Sequence, residues 1–214
     1  STFLDNEENV SKSAIEQIRH IEVNNPDKYK HIIEGRWLDR AEGVIFTNWS
    51  IGEFVEDDTT ICGLDFGFSI DPSTLVKVTI IKDKLYCKEL FYKPGMMTSD
   101  FTNEFKLLKP NTLIVADSAE DRLISELKKQ DFNIVPVKKG AGSIVEGITF
   151  MRDYHIVVDP NSTNIIKEFN NYSWSNQKAG IPIDKFNHCI DSIRYVVMWS
   201  KSNNLSWDYD IEFI

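Results

Sequence analysis

The strongest constraint on the fold of this chain is a change of period at Thr60. Three strand-like runs follow it, at 61–66, 74–81 and 84–92, and only Lys82-Asp83 separates the last two. A two-residue connection between β-branched runs makes a hairpin, so those two runs pair antiparallel. From there the pattern turns to strand–helix alternation. Helices are predicted near 99–108, 119–130, 143–151 and 162–169, with strands at 112–116, 133–137 and 155–158. A β-hairpin candidate, 172–174 with 181–183, precedes a last helix over 187–201. Three meandering strands followed by strand–helix units predict an α/β fold: a mixed sheet with helices on both faces.

Residues 1–58 read differently. Ala14, Ile15, Ile18 and Ile21 recur at helical spacing after Ser11, and Asn25-Pro26 opens a second short helix that Gly35 would end. An irregular apolar stretch with Val44-Ile45-Phe46 and Trp49 leads to the acidic Glu53, Glu56, Asp57 and Asp58. This segment has too few apolar residues for a core of its own and is taken as a helical linker. The body is expected over 59–204, with an acidic tail at 205–214.

Charge supports that division. The whole chain carries 24 Lys plus Arg against 33 Asp plus Glu, a net −9. Residues 1–60 hold 6 bases and 13 acids (−7), and residues 61–200 hold 17 of each (0). A neutral body can still present a basic stripe, so nucleic acid is neither implied nor excluded. No apolar run approaches the roughly 18 residues of a membrane span. Three cysteines (Cys62, Cys87, Cys189) without a CxxC pair argue against a disulfide framework or a cysteine-built zinc site.

Chemistry is concentrated in carboxylates at strand ends. Asp65 ends the apolar run Ile61-Cys62-Gly63-Leu64, and Asp117 ends Leu113-Ile114-Val115-Ala116. A carboxylate there must be paired, hydrogen-bonded or metal-bound, because an isolated buried charge is costly. The structural alternatives are a turn cap at Asp65 before Gly67 and a helix cap at Asp117 or Ser118, with Ser118 and Asp121 at capping-box spacing. If the two strands are neighbours, about 4.8 Å apart, the two carboxylates can share cations. Hard oxygen donors with no cysteine cluster suit Mg²⁺ or Mn²⁺. Asp191 and His188, three residues apart on the last helix beside the stripe Ile190, Ile193 and Val197, form either a third element of such a site or a solvated edge.

Four segments occur in order: Gly-Leu-Asp-Phe-Gly (63–67), Ala-Asp-Ser-Ala-Glu (116–120), Lys-Lys-Gly-Ala-Gly-Ser-Ile (138–144) and Asn-His-Cys-Ile-Asp-Ser-Ile-Arg-Tyr (187–195). Together they resemble the nuclease domain of the large terminase subunit, the DNA-packaging motor of tailed bacteriophages. The Asn-Pro…Gly-Arg-Trp segment at 25–37 is similar to that family's connector between ATPase and nuclease. The resemblance implies a ribonuclease-H-like fold, with Asp65, Asp117 and Asp191 as the ligands of two Mg²⁺ or Mn²⁺ ions and His188 as an accessory catalytic residue. It implies endonucleolytic cleavage of double-stranded DNA in the host cytoplasm. The implied partners are an ATPase domain of the same protein, the small terminase subunit and the portal of the procapsid. No GxxxxGK[ST] occurs in this sequence, so ATP hydrolysis is not expected of it.

Lys138 and Lys139, on a small-residue loop before a helix, are candidate DNA phosphate contacts, as is Lys178 in the hairpin. Tyr172 and Trp174 read as packing residues. Rival readings are a resolvase or transposase of the same fold, a non-catalytic DNA- or partner-docking domain, and an actin-like phosphate loop at Leu-Asp-Phe-Gly. The last lacks the second glycine-rich loop it would need.

Overall fold

A computed structural model describes residues 43–203. The helices expected before residue 36, the connector-like segment 25–37 and the acidic tail 205–214 lie outside those residues. Seven strands form one sheet: β1 (Trp49–Ile51), β2 (Ile61–Asp65), β3 (Pro72–Ile81), β4 (Lys84–Pro94), β5 (Ile114–Ala116), β6 (Ile134–Pro136) and β7 (His155–Val158). Among the described residues five α-helices accompany them: α1 (Thr98–Phe105), α2 (Asp121–Lys128), α3 (Ser143–Arg152), α4 (Thr163–Asn171) and α5 (His188–Ser202).

The strand order is β1-β7-β4-β3-β2-β5-β6. β2, β3 and β4 meander antiparallel, and β5, β6, β7 and β1 add in parallel. The first and fourth predicted strands, β2 and β5, are neighbours, the condition under which Asp65 and Asp117 can share cations. One bulge interrupts β3–β4, where Leu75 pairs Phe91 and Val76 pairs Glu89. The extra residue, Leu90, lets two consecutive apolar side chains, Leu90 and Phe91, pack on the same side.

Side-chain alternation sorts the core into two layers. Cys62 and Leu64 of β2 and Ile114 and Ala116 of β5 pack with Phe101 and Phe105 of α1 and Ile124 and Leu127 of α2. Ile61 and Val115 point the other way, into the layer of α3, α4 and α5. Asp65 and Asp117, two residues beyond Gly63 and Val115, continue on this second side, which is the side of α5.

Helix α5 is the element that sets the site. Ten of its residues, from Cys189 to Ser200, are buried. Gly63 lets it lie directly on β2, since a Cβ at that position would stand 1.9 Å from the Ser192 carbonyl oxygen. Thr74 of β3 anchors its first turn, donating to the His188 carbonyl (3.0 Å) and sharing a hydroxyl contact with Ser192 (2.7 Å). Both Thr74 and Ser192 are fully buried and fully bonded, so the contact fixes register without leaving a polar group unsatisfied.

Two expectations need correction. Val44 to Ile51 was assigned to the linker, yet Ile45 and Phe46 are core residues and β1 is an edge strand paired to β7. The predicted hairpin at 172–183 is reduced to a single antiparallel bridge, Trp174 with Pro182, flanked by backbone bonds from Ser175 to Ile181 and from Ile183 to Ser173. Tyr172, stacked on Phe46, and Trp174 are packing residues.

Candidate metal centre

Asp65 and Asp117 are brought together by β2–β5 pairing. Leu64 pairs with Ala116, and the Asp117 amide donates to the Leu64 carbonyl at 3.1 Å, so each carboxylate follows its strand at the same end of the sheet. Asp191 arrives on the first turn of α5. One side chain ties the strand pair to the helix: the Tyr195 hydroxyl lies 3.1 Å from Asp65 Oδ1 and 3.4 Å from Asp117 Oδ2. A phenol has one proton to give, so it serves the nearer carboxylate and stands beside the other.

Each acid has a compensating partner. His188 Nδ1 is 3.2 Å from Asp65 Oδ2. Arg194, itself buried, donates Nε and a terminal nitrogen to Asp191 Oδ1 at 3.1 and 3.0 Å. Lys139 pairs with Asp117, donates to the Tyr195 hydroxyl at 3.2 Å and sits over that ring. Asp117 also accepts the Ala119 amide (2.9 Å) and opens the 3₁₀ turn that leads into α2. The cap expected of Ser118 and Asp121 is therefore made by Asp117 instead.

The electrostatics are those of crowded, buried acids. Burial pushes the Asp65 carboxyl above the usual range; the His188 and Tyr195 contacts oppose this, and the charge of Asp117 adds to it. Burial pushes Asp191 up to about 6, against the pull of Arg194 and with a further push from Asp65. His188 is raised by its bond to Asp65, which favours the imidazolium. Among the described residues, no three acid, histidine or cysteine side chains stand close enough as placed to chelate one ion. The donor set nevertheless fits a hard divalent cation: three carboxylates on one side of one sheet end, whose mutual repulsion a cation would relieve.

The predicted lysines, all on the exposed surface, divide by partner: Lys139 reaches Asp117, while Lys138 and Lys178 make no ion pair among the described residues. Their two segments lie side by side: Gly140, Gly142 and Ser143 of one and Ile181 and Pro182 of the other line a shared cleft of ≈ 240 Å³. A cleft of ≈ 440 Å³ bounded by Glu56, Lys77, Lys109 and Trp199 lies at the opposite end of the sheet and contributes nothing to this centre.

Three contributors escaped the sequence reading: Tyr195, Glu168 and Arg194, the last of which holds Asp191. Tyr195 is indistinguishable by pattern from the apolar stripe of α5. Glu168 is almost fully buried on α4, and its Oε2 accepts the Ile190 amide at 3.0 Å, which ties down the turn that carries His188 and Asp191. Burial pushes its carboxyl up to about 8. The available signal was its spacing: Glu168 falls three residues after Ile165 and one before Phe169, inside a buried stripe.

Comparison with known proteins bears on this geometry. A family described as the terminase RNase-H-like domain matches residues 65–198, from the first to beyond the last of these side chains. The PBSX phage terminase large subunit of Bacillus subtilis (strain 168) is 28% identical over 143 residues, 63% of this chain and 33% of the relative; the chain thus spans about a third of it. The large-terminase nuclease domain of bacteriophage SPP1, solved with bound Mn, is 31% identical and superposes with a TM-score of 0.61 over 74% of this chain and 99% of that one. The nuclease domains of the P22 large terminase (17% identical, TM-score 0.63, 75% and 94% covered) and of thermophilic phage G20c with bound magnesium (19%, 0.57, 75% and 98%) share the fold.

Proposed function

The chain belongs to the terminase RNase-H-like domain family, and on that premise we propose that it is a metal-dependent endonuclease that cuts double-stranded DNA during viral genome packaging. The observation that carries this reading is the pairing of β2 with β5, which sets Asp65 and Asp117 side by side with the Tyr195 hydroxyl spanning them. Asp65, Asp117 and Asp191 are the proposed holders of Mg²⁺ or Mn²⁺, the ions named for the G20c and SPP1 domains. Bound to such carboxylates, a pair of divalent ions supplies an activated water and charge stabilisation for the departing 3′ oxygen.

The protein's own contribution is to hold and orient. Arg194 fixes Asp191 from a buried position, and Gly147 makes room for its stem. His188, bonded to Asp65 through Nδ1, orients that carboxylate and is the proposed contact to the scissile phosphate. Lys138 and Lys178, exposed on adjoining segments, are the proposed contacts to the DNA backbone. Residues before the sheet would join an ATPase domain, with the body beginning near Gly43. The small terminase, the portal of the procapsid and the host cytoplasm complete the proposed setting. Among the described residues, no helix is long and apolar enough to cross a membrane.

The test is nicking of supercoiled plasmid in Mn²⁺ by wild type and Asp65→Asn. Loss of a carboxylate shared by the ions removes several kcal/mol of charge stabilisation, about 100-fold or more in rate. Equal nicking by the two proteins would refute the assignment.

A further inference from the structure

We propose that Lys139 is the resident cation of the acid centre and that a divalent ion enters by displacing its ammonium from Asp117. The inference rests on the metal-site reading above and goes beyond it: the loop that carries Lys139 becomes part of how the ion is admitted.

Lys138 and Lys139 are consecutive on one loop yet differ in surroundings. Both are exposed residues, but Lys138 makes no ion pair among the described residues. Lys139 satisfies three contacts at once: the Asp117 carboxylate, the Tyr195 hydroxyl at 3.2 Å and the face of the Tyr195 ring, with Nζ 4.7 Å from its centroid. Its partner is the carboxylate that stands beside Asp65 across Tyr195, so the ammonium occupies the acid-rich side of the strand pair, where a cation is needed.

Three basic groups, Arg194, His188 and Lys139, face the three acids, and they differ in freedom to leave. Arg194 is 2% exposed, wedged over Gly147, where even a Cβ would stand 2.4 Å from its Cγ. His188 is fixed on the first turn of α5, its carbonyl bonded to Thr74 and its ring edge-on to Tyr92. Lys139 alone has a long flexible stem, about a third of its side chain open to solvent, and a glycine on its C-terminal side, with Gly142 at φ +81° two residues on. It is the charge that can withdraw without disturbing the fold.

The consequence is an exchange. With Lys139 in place, Asp117 has a counter-charge without a divalent ion. When an ion displaces it, the ammonium swings outward beside Lys138, toward the face proposed for the DNA backbone. Linkage makes the effect reciprocal: whatever draws Lys139 out, a DNA phosphate included, raises ion affinity by the same factor.

The experiment is calorimetric titration of Mn²⁺ into wild type, Lys139→Met and Lys139→Arg, with Mg²⁺ titration of wild type followed by NMR of the lysine ¹³Cε–¹⁵Nζ groups. Expected are about tenfold tighter Mn²⁺ binding by Lys139→Met, within the common range of coupling between linked sites, and wild-type or weaker binding by Lys139→Arg. The Lys139 resonance should move to the position of a solvated lysine as Mg²⁺ saturates. Equal or weaker binding by Lys139→Met, or an unmoved resonance at saturation, would overturn the proposal and leave the metal site standing. No binding by wild type would defeat both, and the wild-type arm separates these cases even if a variant fails to fold.

Discussion

Gly63→Ala is the perturbation with the clearest geometric consequence. A Cβ there would lie 1.9 Å from the Ser192 carbonyl oxygen and 2.6 Å from its carbonyl carbon. Carbon–oxygen contacts close no nearer than about 3.3 Å, so the backbones of β2 and α5 must separate by about 3.3 − 1.9 = 1.4 Å. Neither is a flexible side-chain end that can step aside. If the shift falls on α5, the Tyr195–Asp65 contact opens from 3.1 to about 4.5 Å and His188–Asp65 from 3.2 to about 4.6 Å, both beyond hydrogen-bond reach. Overpacking of this kind costs about 1–3 kcal/mol, and each broken bond to a charged group roughly 1.5–3 kcal/mol before solvent recovers part of it. A net loss of roughly 3 kcal/mol lowers the melting temperature of a chain this size by roughly 6–12 °C. Circular-dichroism melts of Gly63→Ala against Gly140→Ala, where an added Cβ meets nothing within 4 Å, separate crowding from loss of a glycine. Mn²⁺ binding should weaken by roughly 10–100-fold in the first variant. A melting point for Gly63→Ala within about 2 °C of wild type, below the effect of a single kcal/mol, would refute the close-approach argument.

Glu168 should make stability fall with rising pH: the folded state keeps a proton up to about 8 that the unfolded chain gives up near its ordinary value of 4.5. Asp65 and Asp191, raised in the same direction, add to the fall, Asp191 up to about 6. Glu168→Gln should keep the Ile190 bond and flatten the part of the decline between pH 6 and 8, whereas Glu168→Ala should cost roughly 1–3 kcal/mol at pH 6; melts of the three proteins across that range test both. Lys138→Glu combined with Lys178→Glu should weaken DNA binding and reduce the slope of log affinity against log salt by about 2, one for each phosphate contact; fluorescence anisotropy at several salt concentrations reads this, and an unchanged slope would exclude both lysines from the DNA surface.

The meander and the strand–helix units were legible because their signals are local: a two-residue turn, β-branched runs and amphipathic stripes. Strand β1 was not. Trp49–Ile51 is short, mostly exposed and paired to residues about a hundred positions later, so nothing near it in sequence announces a strand. The hairpin was over-read for the converse reason. Its segments carry the right residues, but Ser173 is engaged by Val44 across a bridge to the chain's early part, and only Trp174 and Pro182 pair between the two arms.

At the metal centre, legibility followed cost. An aspartate closing a buried apolar strand is expensive unless it has a purpose, so Asp65 and Asp117 stood out from sequence alone. Tyr195, Arg194 and Glu168 did not, because their partners lie on other elements: Asp65 is 130 residues from Tyr195, and Glu168 meets Ile190 across two helices. These hidden residues explain how such a cluster persists in a folded protein. Three acids at one sheet end would repel or take up protons; here each is met by a cation or a hydroxyl from α5 or the 138–142 loop. A structural metal site folds because the ion supplies the compensation. In this chain the compensation is covalently attached, so in the exchange proposed above ion binding would be a substitution within a formed site. The charge proposed to yield is Lys139 rather than Arg194 on the ground of burial: one side chain is partly open to solvent and the other is sealed against Gly147.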